Sequence, residues 1–382
     1  MSFPKEILDL IHHNHIQQLA GVQLKLDKAP QDEDKPPVTS ETLIQWINEN
    51  KTAIQAAQAS RCVSGSANTP NWDAVLFALI ESTAIFFRDM NLVIAAAQAA
   101  QEGDTQRAAE LLKESQKAID DVAAALGCTF IQLCDFTQQG PDGLGLLNGA
   151  FCGAFISHTD PAKPFIGVTF KGTDSSQEIL TDVFWLPLQP TDVAFGAKTH
   201  TGFYNGLFGN FTQSGVSQVP FDIIVQQLDT IYNGNALLHF TGHSMGGAYA
   251  TLAYGEFLRR GLGSTYTLGD AYLSATPRVC EQPFAQLLAG LATNAGIATI
   301  RIVNDGDPIP TMPPPPPPLS NPDEFPYVHV DGAWKIFTDR RPVQMDTEQP
   351  NNPIPPQHID GPFPQHDNDS YYNSWKNTPH TK

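Results

Sequence analysis

Five residues, Gly242-His243-Ser244-Met245-Gly246, stand between an apolar run, Ala236-Leu237-Leu238-His239-Phe240, and a small-residue run, Gly247-Ala248-Tyr249-Ala250. The first run reads as a buried strand, and the proline-free residues 247 to 260 read as a helix. The pentamer is then a strand-to-helix turn that lifts a serine out of a sheet. Glycines flank the serine because such a turn is strained and the helix must return close to the strand, where a Cβ would clash. A serine hydroxyl is a poor nucleophile in water, so acyl transfer requires it to be exposed, activated by a base and faced by oxyanion donors. With 29 glycines in the chain the pentamer alone is a weak signal, and the bland alternative is a turn whose serine merely caps a helix. The strand before it and the helix after it favour the nucleophile.

The 382 residues, 41% of them hydrophobic, suffice for one large domain or two modest ones. A net charge of -18 argues against nucleic acid and anionic bilayers as partners and suits a neutral substrate or lipid surface. It is also a plain route to solubility. The five cysteines, Cys62, Cys128, Cys134, Cys152 and Cys280, lack paired metal-site spacing, and most are expected to be reduced and packed. No motif suggests a metal or nucleotide cofactor. Met1-Ser2-Phe3-Pro4-Lys5-Glu6 shows no basic start followed by an apolar stretch, which points to an intracellular protein or to the mature form of an exported one. Three Asn-x-Ser/Thr sequences, at Asn50, Asn210 and Asn368, match chance expectation and leave the compartment open.

The first third is expected to be all-helical. A charged, proline-bearing connector over 26–38 precedes a helix carrying Leu43, Trp46, Ile47 and Ile54, with Thr39 or Ser40 as its cap. Residues 72–100 read as a buried core helix. Glu81, Arg88 and Asp89 interrupt it, so it falls short of the ~20 apolar residues of a membrane span. Residues 104–125, opened by Asp104 and closed by Gly127, read as a surface helix. From 128 onward short apolar runs alternate with helices: 165–170, 236–241, 266–274 and 297–303. This pattern predicts an α/β fold with a mostly parallel sheet and catalytic groups at the strands' carboxyl ends. The expected division is a helical region over 1–127 and a catalytic domain over 128–382. The tract Pro313 to Pro318 reads as a stiff connector.

An activated serine needs a base and a group that orients it. The order Ser, Asp, His directs attention to Asn304-Asp305-Gly306-Asp307-Pro308-Ile309-Pro310, which offers two loop carboxylates. Four histidines follow. His380 lies in a polar tail, whereas spacing leaves His329, His358 and His366 comparable.

Taken together, the motifs resemble the fungal-type class 3 lipases of the α/β-hydrolase superfamily over about 145 to 375. Phe165 to Thr173 looks like the family's strand and oxyanion turn, and His200-Thr201-Gly202-Phe203-Tyr204 like its next landmark. Thr241 to Gly247 resembles the elbow, Ala275-Thr276-Pro277-Arg278-Val279 a glycine-poor version of the later turn, and Val303 to Pro314 the acid motif. The resemblance implies Ser244 as nucleophile, Asp307 as acid and His366, placed shortly before a Tyr pair, as base. His329 would be structural. Thr173 and the backbone N–H of Met245 would be the oxyanion donors, and the segment Ile179 to Leu186 an amphipathic lid over the site. Such a chain would hydrolyse acylglycerols or other apolar esters at a lipid–water interface without a cofactor. The chain departs from the pattern in its long helical first third and its missing secretory signal. A non-catalytic lipid-binding or scaffold protein on the same fold is the competing expectation.

Overall fold

The computed structural model describes residues 38–135, 137–139, 146–148, 150–172, 187–213, 216–313, 327–330, 332–346 and 363–380. Up to Gly127 these residues form helices and short connectors: α1 Ser40–Glu49, α2 Lys51–Ala59, α3 Trp72–Ala84, α4 Met90–Gln101, α5 Thr105–Ser115 and α6 Lys117–Ala125. Thr39 caps α1 by accepting from the Thr42 amide, and Asp104 caps α5 by accepting from Arg107. Three expected single helices are in fact pairs, the first of them broken at Asn50 between Trp46 and Ile54. The 72–100 segment breaks after a short 3-10 turn, because Asp89 accepts from the Asn91 and Leu92 amides and so starts a new helix. The 104–125 segment breaks at Gln116.

Eight strands make the main sheet: β1 Cys128–Cys134, β2 Cys152–Ser157, β3 Phe165–Phe170, β4 Leu237–His243, β5 Thr267–Ser274, β6 Thr299–Asn304, β7 Ala333–Ile336 and β8 Val343–Gln344. They lie side by side in chain order. Pairing is antiparallel from β1 to β3, parallel from β3 to β7, and antiparallel at the β8 edge. Helices α7 Thr201–Phe208 and α8 Pro220–Ile231 lie between β3 and β4, α9 Met245–Arg259 between β4 and β5, and α10 Gln282–Ala295 between β5 and β6. Helix α11, Asn368–Trp375, is the last helix among the described residues.

Side chains alternate across the sheet as strand geometry demands. Ile166, Val168, Phe170, Leu238 and Phe240 join the core made with α7 to α10. Phe165, Tyr272, Ile300 and Ile302 join the opposite core, made with α1 to α3, α6 and α11. A sheet covered on both faces explains why its central strands are buried along their length. The first-third helices α1 to α3 and α6, with α11, therefore supply this second layer. Helix α3 touches the central strand directly, since Thr241 donates to the Ala78 carbonyl and His239 meets Glu81 at 2.6 Å with both side chains fully buried. All five cysteines are buried and free of disulfides. Among the described residues, no helix is long and apolar enough to cross a membrane.

Candidate active site

Strand β4 ends at His243, and Ser244 takes φ 58° and ψ -129° before α9 begins at Met245. A non-glycine residue held there is strained, and the surroundings hold it by close packing. A Cβ at Gly246 would overlap the Phe170 carbonyl oxygen, and one at Gly242 would overlap the Gly246 carbonyl. Both glycines are thus required by close approach of helix to strand. Met245, at the first position of α9, carries one of the amides that a helix start leaves without an intrahelical acceptor.

The loops after β6 and before α11 bring the acid and the histidine to this turn. His366 Nε2 lies 3.0 Å from Ser244 Oγ, and its Nδ1 lies 3.1 Å from each Asp307 oxygen. Asp307 also accepts from the Ile309 amide at 3.0 Å and from the Tyr371 hydroxyl at 2.7 Å. Burial, reinforced by the Asp307 charge, pushes the Tyr371 hydroxyl well above its ordinary pKa, so it stays a donor. The His366 turn is tied to the sheet: Asn304 donates to the Gln365 carbonyl at 2.9 Å and accepts from Ser374 at 2.6 Å. All three residues of the constellation are buried.

The other sequence candidates lie elsewhere. Asp305 is exposed and pairs with Lys335 at 3.2 Å. His329 meets the Pro310 carbonyl at 2.6 Å through Nε2 and so braces the acid loop. His380 stacks on Trp375, beyond α11. Thr173, the segment from Ile179 to Leu186, His358 and residues 314–318 lie outside the described residues. Gly172, next to Thr173, runs close to the serine: a Cβ there would stand 2.8 Å from the His243 carbonyl oxygen and 3.4 Å from Ser244 Cβ.

Two neighbours carried no sequence assignment. Tyr371 belongs to the Tyr pair but gave no sign of its bond to Asp307. The His243 ring lies 4.9 Å from the His366 ring and hydrogen-bonds the His366 backbone. Burial first, and then the charge of His366, push His243 well below the usual imidazole value, so it is neutral. If Tyr371 fixes the Asp307 carboxylate, Tyr371→Phe is expected to lower kcat about tenfold or more, the effect of losing one hydrogen bond to a charged group. Steady-state kinetics check this, and an unchanged kcat removes Tyr371 from the machinery.

His200 is likewise buried, stacked on Phe203, with neither ring nitrogen hydrogen-bonded, and burial lowers its pKa to about 4. In the unfolded chain both His200 and His243 titrate near ~6.5. Below that pH the unfolded state binds protons that the fold refuses, so stability falls with pH, for His200 down to about 4. Between about pH 7 and pH 4.5, His200→Phe is expected to lose roughly 2 to 3 kcal/mol less stability than the wild type. Urea melts at the two pH values read this directly.

A mostly parallel sheet, layered by helices on both faces, with a strained serine on the turn after its central strand, defines an α/β-hydrolase fold. Residues 167–316 match the family model described as lipase (class 3). Over these residues the chain is similar to the class 3 lipase family. Its matched part is 27% identical over 197 residues to the lipase of Rhizomucor miehei, covering 51% of this chain and 48% of that protein. It is 29% identical over 164 residues to the secreted mono- and diacylglycerol lipase 1 of Fusarium solani, covering 42% and 43%. The match thus spans about half the length of these relatives. Among solved structures, a lipase from Rhizopus microsporus var. chinensis aligns over 89% of this chain and 93% of its own, with a TM-score of 0.40 and 20% identity.

Proposed function

We propose that this chain is a serine carboxylic-ester hydrolase that cleaves acylglycerol-like or other apolar esters through an acyl-enzyme. The observation that carries this reading is the continuous hydrogen-bonded line from Ser244 Oγ through the His366 ring to Asp307. At 3.0 Å, His366 Nε2 is within reach of the serine proton as Ser244 attacks the ester carbonyl. Asp307 holds the other ring nitrogen in the donor form and stabilises the imidazolium. His366 then returns the proton to the leaving alcohol, and water, deprotonated by the same ring, releases the acid. The developing oxyanion would be met by the Met245 amide at the start of α9 and by Thr173. A lipid-binding protein has no use for a serine held in a strained conformation against a base, which favours catalysis over binding alone.

The helical region over 1–127 acts in this reading as support for the catalytic region over 128–382, because α3 is hydrogen-bonded to the strand that ends at the serine. The segment Ile179 to Leu186 would serve as the lid, opening at a lipid–water interface. The name of the Fusarium relative, a mono- and diacylglycerol lipase, adds weight to acylglycerols as the substrate class. The test is hydrolysis of p-nitrophenyl esters of short, medium and long acyl chains beside emulsified triacylglycerol. Turnover that rises on emulsified, longer-chain substrate is expected. Activity confined to short soluble esters would replace the lipase reading with an esterase one.

A further inference from the structure

A second cleft, of about 600 Å³, lies away from the serine between the loop after β7 and the end of α11. It is lined by Arg340, Arg341, Lys376, His380, Asn377 and Thr378, together with Asp339 and Pro379. Three fixed cations meet there in a chain whose net charge is -18. Among the described residues, no carboxylate forms an ion pair with any of the three, Asp339 included. Two are held in place by aromatic faces, with the Arg340 guanidinium 3.8 Å from the Phe337 ring centroid and the Lys376 ammonium 4.3 Å from that of Tyr372. The loop itself is pinned, since Asn377 donates to the Phe337 and Thr338 carbonyls.

We propose that this cleft binds the phosphate headgroup of an anionic phospholipid and so docks the catalytic edge of the sheet on a lipid surface. A phosphate offers acceptor oxygens to the two guanidinium forks and to the Lys376 ammonium, which donates to Asn373 at 3.1 Å with its other protons left for an anion. The single Asp339 and the carbonyl end of α11 oppose an anion but do not outweigh three cations. Placement selects the lipid over a soluble anion. Strands β6 and β7 run parallel with Asn304 opposite Ile336, so the Asp307 loop and the Arg340 loop leave the same carboxyl edge of the sheet. Val343, 54% exposed and among the most exposed large apolar side chains, follows Arg341 by two residues and sets an apolar group beside the cations, as a surface-docking site requires. The overall negative charge does not forbid this, because at physiological salt fields are screened beyond ~8 Å and the local charges decide.

The proposal rests on the lipase reading only for the identity of the surface, so binding is measured without catalysis. The full-length Ser244→Ala protein is sedimented with vesicles of phosphatidylcholine alone and of phosphatidylcholine mixed with phosphatidylglycerol. Preference for the anionic vesicles, weakening with added salt, is expected. Adding Arg340→Ala, Arg341→Ala and Lys376→Ala together should lower the apparent affinity by on the order of 10- to 100-fold. The same changes on the wild-type serine should leave hydrolysis of a soluble short-chain ester unchanged, which also shows that the variants fold. Equal binding to both vesicle types, or undiminished binding by the triple variant, would overturn the proposal. So would titration by inorganic phosphate without vesicle binding, which would assign the cleft to a free anion. A wild-type protein that prefers anionic vesicles but hydrolyses no ester would count against the lipase reading alone.

Discussion

Alanine at Ser244 or at His366 is expected to lower kcat on apolar esters by on the order of 10⁴- to 10⁶-fold, with the double variant little worse than either single one. The two act as one unit across a 3.0 Å contact, so removing either leaves only substrate binding and oxyanion donors. Neither change should cost much stability. Ser244→Ala removes a hydroxyl at a strained turn, and His366 sits on a turn held by Asn304 through the neighbouring carbonyl. Equal melting temperatures with collapsed turnover would separate chemistry from folding. Near-additive losses in the double variant would mean that serine and histidine do not form the unit described.

The second large effect falls on stability. Glu81 and His239 form a fully buried pair between α3 and the central strand, and a Cβ at Gly167 would overlap a Glu81 oxygen. Burial pushes the Glu81 carboxyl up, while His239 pulls it back part of the way. Glu81→Ala strands a buried imidazole and opens a void, and is expected to cost about 3 to 5 kcal/mol. The double replacement Glu81→Leu with His239→Phe should cost much less, because no polar group is then left alone. Urea denaturation of the single and double variants decides. A Glu81→Ala protein as stable as the wild type would show that α3 is not fastened to β4 through this pair.

These two predictions differ in how far the amino-acid sequence announces them. The Ser244 turn is legible because its requirements are local: an apolar strand, two glycines forced by close approach, and a small-residue helix follow one another in the chain. The strands β3 to β6 are legible for the same reason, each being a short apolar run between turns. Spacing alone does not separate Asp307 from Asp305 or His366 from His329; the family resemblance does. The structure supplies the physical difference, since Asp305 faces Lys335 and solvent while Asp307 faces His366, Tyr371 and the Ile309 amide. The Glu81–His239 pair joins residues 158 positions apart, and no local pattern encodes such a contact. Strands β1 and β2, Cys128–Cys134 and Cys152–Ser157, were missing from the strand series read from sequence. Their cysteine, glycine and glutamine residues blur an apolar run, and tertiary burial settles them as strands. The breaks at Asp89 and Gln116 were hidden because helical periodicity continues on both sides of each.

The most direct measurement is covalent capture by an organophosphate ester, read by peptide mass spectrometry on the wild type and on the Ser244→Ala, His366→Ala and Asp307→Asn variants. One adduct is expected, on the peptide carrying Ser244, absent from Ser244→Ala and formed far more slowly when His366 or Asp307 is changed. An unlabelled wild type, or labelling at equal rates with and without His366, would contradict an activated Ser244.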